Sequence, residues 1–351
     1  MTFRYPMQMA YALVCVALLT SASTAIGASL VWTTVVDHAV PSSTNQLRSI
    51  ALSNDESSVY IGYIQTSGNR RVDRHDTSSP YLMLNSHASA GDQPKAIATD
   101  DRGNVFVANR NSGNTNSFIQ AFDSALTPIS SSGTASPVVG GLAIQKSGSD
   151  YYAYATYEAN GLIQRYNVTN TGAMTLDASF GTGGSFNIPG SVAATDLRGI
   201  EVGSDGSLYT VSRNGNTVYK ISADLSAVTT HSITRPMDVA IFGGHLYVTS
   251  YNGTNSLIRA LSLSSLSFVE DITISTLDGN PYSRGTSEGW SGIDIDSAGN
   301  IWLIDQQYSG SSTNTRDRLI IGKSLVVPEP SVIGHVALSV IGAISGFRRR
   351  D

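Results

Sequence analysis

Residues 290–306 read WSGIDIDSAGNIWLIDQ. Two short alternations of apolar and polar side chains flank the polar run Asp-Ser-Ala-Gly-Asn, and that arrangement is the signature of a β-hairpin. Aspartate opens such a turn because its carboxylate accepts hydrogen bonds from backbone N–H groups just downstream, and glycine supplies the positive φ the turn needs. Asp296 is therefore expected to be the turn-opening residue, although Asp294 and Asp296 in GIDID look at first like a pair of metal ligands. Outward from this stretch, the pattern returns five times: LRSIALSNDESSVYIGY (47–63), PKAIATDDRGNVFVANR (94–110), VGGLAIQKSGSDYYAYATY (139–157), LRGIEVGSDGSLYTVSR (197–213) and PMDVAIFGGHLYVTSY (236–251).

The apolar anchors Ile50, Ile97, Leu142, Ile200, Val239 and Ile293 lie 47, 45, 58, 39 and 54 residues apart, near the length of one propeller blade. A third strand follows each hairpin after a polar loop (RRVDRHD, SFIQAFDS, GLIQRYNV, NTVYKISA, NSLIRALSL, RDRLIIGK), and most repeats then offer a fourth, such as YLMLN. The last repeat lacks a fourth strand, whereas LVWTTVV (30–36) has no partner. The expected fold is all-β, a six-bladed β-propeller of four-stranded antiparallel blades over residues 29–326, with residues 30–36 supplying the missing strand. Closing the ring removes the open sheet edges that would otherwise pair with other chains. A β-helix or two stacked sandwiches would show the same alternation, and ring closure distinguishes them. The hairpins resemble NHL-type repeats, with a proline, an apolar-Ala-apolar strand, Asp, Gly-Asn and an aromatic-bearing strand matched best at 94–110 and 290–306. The repeats near 47 and 139 depart from the Gly-Asn turn. SFGTGGSFNIPG (179–190) resembles the glycine-rich linker of that family.

The ends of the chain point to export. Residues 1–28 carry Arg4, an apolar run from about Met9 to Leu19 and then small residues, the pattern of a secretory signal peptide cleaved after Ala25 or, preferably, Ala28. Cys15 is the single cysteine, so cleavage leaves a chain without disulfides that depends on its core for stability. Residues 327–351, VPEPSVIGHVALSVIGAISGFRRRD, place Pro328, Glu329 and Pro330 before an apolar segment that as a helix would rise about 25 Å, close to the lower limit for crossing a bilayer. Arg348, Arg349 and Arg350 would remain on the cytoplasmic side. This tail resembles the PEP-CTERM sorting signal of Gram-negative bacteria. The resemblance implies signal peptidase and an exosortase as processing partners, a membrane-inserted precursor, and delivery to the cell surface or an exopolysaccharide matrix.

Removing Arg4, the three terminal arginines and Asp351 from totals of 22 basic and 27 acidic residues leaves 18 and 26, a net charge of −8 over residues 29–330. A nucleic-acid partner is excluded on that balance, because binding phosphates requires a basic excess. Nucleophilic catalysis lacks a candidate too: the histidines are scattered, no Gly-x-Ser-x-Gly elbow occurs, and no zinc spacing or phosphate loop is present. No catalytic residue and no cofactor is assigned. Lactonase-like propellers hold a divalent cation over the channel, and a calcium site would draw on Glu201, Asp238 and Asp294 of the innermost strands, with Asn109 and Asp305 at the ends of second strands. The stronger expectation is a binding face. Arg48, Lys95 and Arg198 share one repeat position ahead of the innermost strand, Arg110 and Arg213 share another, and Tyr251 adds an aromatic surface beside polar loops. Such a face suits an anionic ligand, an acidic exopolysaccharide or a surface protein, in a non-enzymatic binding propeller. The alternatives are a calcium-dependent lactonase-like hydrolase and a structural matrix component without a defined ligand.

Overall fold

The computed structural model describes residues 30–39, 45–65, 70–88, 93–111, 117–132, 138–158, 161–190, 196–251, 256–282, 290–306 and 316–324. The signal segment 1–28 and the sorting tail with Pro328, Glu329, Pro330, Arg348, Arg349 and Arg350 lie outside them. All regular structure in the described residues is strand, arranged as six antiparallel blades. From the channel outward, blade 1 consists of Asn45–Leu52, Ser58–Gln65, Arg71–Asp76 and Met83–Ala88, and blade 2 of Gln93–Thr99, Val105–Arg110, Ser117–Phe122 and Pro128–Ser131. Blade 3 follows with Val139–Ser147, Asp150–Tyr157, Leu162–Val168 and Met174–Leu176, and blade 4 with Leu197–Val202, Leu208–Ser212, Thr217–Ile221 and Val228–Ser232. Blade 5 is Pro236–Phe242, His245–Tyr251, Ser256–Ser262 and Phe268–Ile272.

Blade 6 takes Trp290–Ile295, Ile301–Gln306 and Arg316–Ser324 from one end of the domain and Leu30–Ala39 from the other. The strand expected to fill the vacancy does so, in antiparallel register from Leu30 opposite Ser324 to Ala39 opposite Arg316. The innermost strands touch their neighbours all the way round, blade 6 against blade 1 included. Neither a β-helix nor a sandwich pair has that closure.

Alternation explains where the core sits. Each strand sends alternate side chains to opposite faces of its blade, so both faces are apolar and each blade buries itself against two neighbours. An apolar cluster accordingly fills every junction, for example Phe106, Val139 and Tyr157 between blades 2 and 3, and Ile61, Trp302 and Leu319 between blades 6 and 1. The hairpin turns behave as their sequence directs. Asp296 accepts hydrogen bonds from the N–H groups of Ala298 (3.1 Å) and Asn300 (2.8 Å), and Asp100 does the same for Arg102 and Asn104. Gly103 and Gly299 complete these turns at φ of 84° and 81°, where a Cβ would be strained.

The stretch expected as a blade linker differs. Ser185–Asn187 folds back and pairs with Leu162–Gln164, so it extends blade 3 and does not merely span to blade 4. A further small hairpin, Thr276–Leu277 with Asn280–Pro281, lies between blades 5 and 6 and clamps the closing strand. Asp278 accepts from the Thr34 N–H (2.8 Å) and hydroxyl (2.6 Å) and donates its own N–H to the Trp32 carbonyl (3.1 Å).

A cationic channel mouth as candidate functional site

Every innermost strand carries a β-bulge at the same repeat position. Pairing with the second strand steps from Leu47 to Ser49, Pro94 to Ala96, Val139 to Gly141, Pro236 to Asp238 and Trp290 to Gly292. In blade 4 it steps from Leu197 to Ile200. The residues passed over include Arg48, Lys95, Gly140, Arg198, Met237 and Ser291. A bulge leaves its extra residue unpaired and re-aims its side chain. All six line one central cavity of about 310 Å³.

Three of the six are cations, and the structure brings them together with side chains from the ends of the second strands. Lys95 is enclosed, its side chain 7 % exposed, with Nζ 3.4 Å from the Glu158 carboxylate. Arg198 donates through Nη1 to the same Glu158 oxygen at 2.7 Å and through Nη2 to Asp196 at 2.9 Å. Arg213 lies 3.8 Å from Asp196. Burial pushes the Lys95 ammonium down to about 7; Glu158 opposes this, while Arg198, Arg48 and Arg110 add to it. For Glu158, burial favours the neutral acid, but Arg198, Lys95 and Arg110 prevail and hold it below the usual range.

Glu158 was not anticipated from sequence, although a signal for it exists. The residues three beyond the partner of each anchor, at or just past the end of the second strand, are Ile64, Arg110, Glu158, Arg213, Tyr251 and Gln306. The acid occupies in blade 3 the position that arginine occupies in blades 2 and 4. Tyr251, expected to present a flat surface, is instead 5 % exposed, with the Arg235 guanidinium 5.5 Å above its ring. Of the polar loops between second and third strands, those at 66–69, 112–116, 159–160, 252–255 and 307–315 lie outside the described residues.

Asp238, Glu201 and Asp294 line the same cavity, and here the expected calcium set is not assembled. Asp238 accepts from its own strand at Val239 N (2.9 Å) and from blade 6 at Ile293 N (3.2 Å). Asp294 likewise accepts from Ile295 N (2.8 Å) and, across the closure, from Leu52 N (2.7 Å). Both carboxylates thus latch one blade to the next. Gly199 is what lets Asp238 lie against blade 4, since a Cβ there would come within 1.8 Å of Oδ1. Burial raises all three: Asp238 to about 7, Asp294 to about 6, and Glu201 well above the ordinary range, with Asp294 and Asp238 adding to the last. Asn109 and Asp305 are buried inside their sheets, away from the channel lining; Asp305 accepts from Tyr282 Oη and Arg318 Nη2, both at 2.9 Å. Among the described residues, no group of three or more His, Cys, Asp or Glu side chains is placed to hold a metal ion.

Neither a protein-family model nor a curated protein matches the sequence. Solved structures do. Virginiamycin B lyase from Staphylococcus aureus superposes with a TM-score of 0.52 at 15 % identity, over 85 % of this chain and 100 % of that one. U3-55K gives a TM-score of 0.53 at 10 % identity over 82 % and 98 %, and a protein of unknown function from Bacteroides caccae gives 0.50 at 10 % over 76 % and 84 %. The likeness is one of fold. At such identities a lyase and U3-55K are equally good neighbours, so the propeller is shared and the chemistry of the mouth must be argued from its own residues.

Proposed function

We propose that this protein is an exported binding propeller of the bacterial cell surface or extracellular matrix, and that its channel mouth receives a carboxylate of an acidic exopolysaccharide. One observation carries the reading: bulges on three innermost strands aim Arg48, Lys95 and Arg198 into the same cavity. Guanidinium groups bind carboxylates through paired, charge-assisted hydrogen bonds, each contributing about 1.5–3 kcal/mol. The net charge of −8 on the domain as a whole would repel a polyanion elsewhere and leave the mouth as the place of attachment. Export rests on the signal segment, and retention on the tail that resembles an exosortase substrate. A calcium-dependent hydrolase gains nothing from Asp238 and Asp294, whose hydrogen bonds join one blade to the next, while burial favours the neutral acid at Glu201.

The test is calorimetric titration of the purified protein with a galacturonate oligomer and with a neutral oligomer of equal length. The acidic oligomer is expected to bind, more weakly as salt rises. Arg48→Gln and Arg198→Gln should each weaken binding by about ten-fold, or ~1.4 kcal/mol, while the folded state persists in thermal melts. Equal binding of the neutral oligomer, or a double variant that binds like the native protein, would overturn the proposal.

A further inference from the structure

The chain contains four lysines, and the structure sets one apart. Lys146 is 53 % exposed and paired with Asp101 at 2.7 Å, which raises its affinity for a proton. Lys220 donates to the carbonyls of Leu263 and Ser264, at 3.0 and 2.9 Å. Lys323 is exposed on blade 6, its ammonium 5.7 Å from the Tyr81 ring. Lys95 alone lines the central cavity, held there by a backbone bulge. The charged groups that act on its ammonium are Glu158, Arg198, Arg48 and Arg110, three of them cations.

We infer that Lys95 is an imine-forming site for small carbonyl compounds that carry an anionic group, such as 2-oxo acids. Two requirements of that chemistry are met by the geometry. First, an amine attacks a carbonyl only through its free lone pair, and enclosure beside other cations is the environment that releases a lysine's proton near neutrality. With its proton affinity pushed down to about 7, a large share of Lys95 is neutral at pH 7.5, whereas an ordinary lysine is almost wholly protonated. Second, the arginines that suppress protonation are also those that would hold the carboxylate of the incoming compound, placing its carbonyl carbon near Nζ. The cavity, about 310 Å³, lies at the lower end of the ~300–1,000 Å³ range of small-ligand sites.

The step balances without any oxidant. The Nζ lone pair forms a C–N bond to the carbonyl carbon as the C=O π pair moves to oxygen, leaving an ammonium beside an alkoxide. The Glu158 carboxylate, 3.4 Å from Nζ, takes one proton from that ammonium and delivers it to the alkoxide, giving the neutral carbinolamine. The nitrogen lone pair then closes the C=N bond as the hydroxyl leaves, and the second nitrogen proton, carried by the same carboxylate, joins the departing oxygen as water. Amine and carbonyl become imine and water, and the reaction reverses by the same path.

This inference rests on the anion-binding reading of the mouth, but the two fail separately. The full chain is treated with glyoxylate and, in parallel, with neutral glycolaldehyde, each with cyanoborohydride to trap the imine, and adducts are mapped by peptide mass spectrometry. Glyoxylate is expected to label Lys95 at least ten-fold faster than Lys146, Lys220 or Lys323 at pH 7.5, and glycolaldehyde to show no such preference. Glu158→Gln should slow the labelling, and Lys95→Arg should abolish it. Labelling of Lys95 no faster than of the other three lysines overturns the imine site, even where galacturonate still binds. Equal labelling by both aldehydes overturns the part assigned to the arginines.

Discussion

Glu201 stands inside the channel with no opposing cation among the groups that act on it: burial, then Asp294 and Asp238, all disfavour its charge, and a backbone hydrogen bond to Val202 N–H opposes them. Its carboxyl therefore keeps a proton in the folded protein at pH values where the unfolded chain, titrating near 4.5, has lost it. The native state then binds more protons than the unfolded state, and stability falls as pH rises above about 4.5. Asp238 and Asp294 act in the same sense between about 3.8 and their folded values of about 7 and 6. Glutamine keeps the shape of Glu201 and cannot ionise. Glu201→Gln is thus expected to melt with the native protein at pH 4 and at a higher temperature at pH 8, and parallel pH profiles would refute the assignment. The sequence shows these three residues as innermost-strand acids, which made them metal candidates. What it conceals is the blade-to-blade distance that lets Asp238 and Asp294 reach a neighbour's N–H.

At the scale of the element, the hairpins were legible because their signal is local: alternation on both sides of an Asp-x-x-Gly-Asn turn needs no knowledge of the rest of the chain. The bulges were not, since one additional residue inside a short strand leaves the apolar alternation almost unchanged. Their consequence was visible nonetheless in the shared repeat position of Arg48, Lys95 and Arg198. The small hairpin at 276–281 escaped notice because two-residue strands carry no periodicity, and its contribution comes through Asp278 and a strand more than 240 positions away. That closing strand offers its own test. Trp32 is buried with its ring against Gly322, where an added Cβ would come within 2.9 Å of three ring carbons. Gly322→Val is expected to cost about 1–3 kcal/mol by overpacking, and Trp32→Ala about 3–5 kcal/mol by removing a large core side chain. Because the smaller residue makes room for the larger, the double variant should lose less than the sum of the two in denaturant melts. Strict additivity would show that the two residues do not meet.

For the whole molecule, the six clusters between blades make stability a property of a closed circuit. Each blade is covered on both faces only while the ring is shut, and blade 6 is shut by a strand whose partner lies 294 residues away at Leu30–Ser324. Such a contact closes a very long loop at an entropic cost, and it persists because it is apolar as well as hydrogen-bonded. Removing residues 30–39 would bare the edge of Arg316–Ser324 and uncover the apolar side chains that Trp32 packs against, Trp290 and Ile320 among its cluster. An uncovered edge of this kind recruits strands from other molecules. The truncated protein is therefore expected to melt at a lower temperature and to associate as its concentration rises, seen by size-exclusion chromatography with light scattering. A synthetic peptide of residues 30–39, added during refolding, should restore the size and melting temperature of the intact protein. A truncated chain that stays monomeric and melts with the intact protein would mean that the ring holds without its first strand, and that five and three-quarter blades are enough to keep the channel mouth assembled.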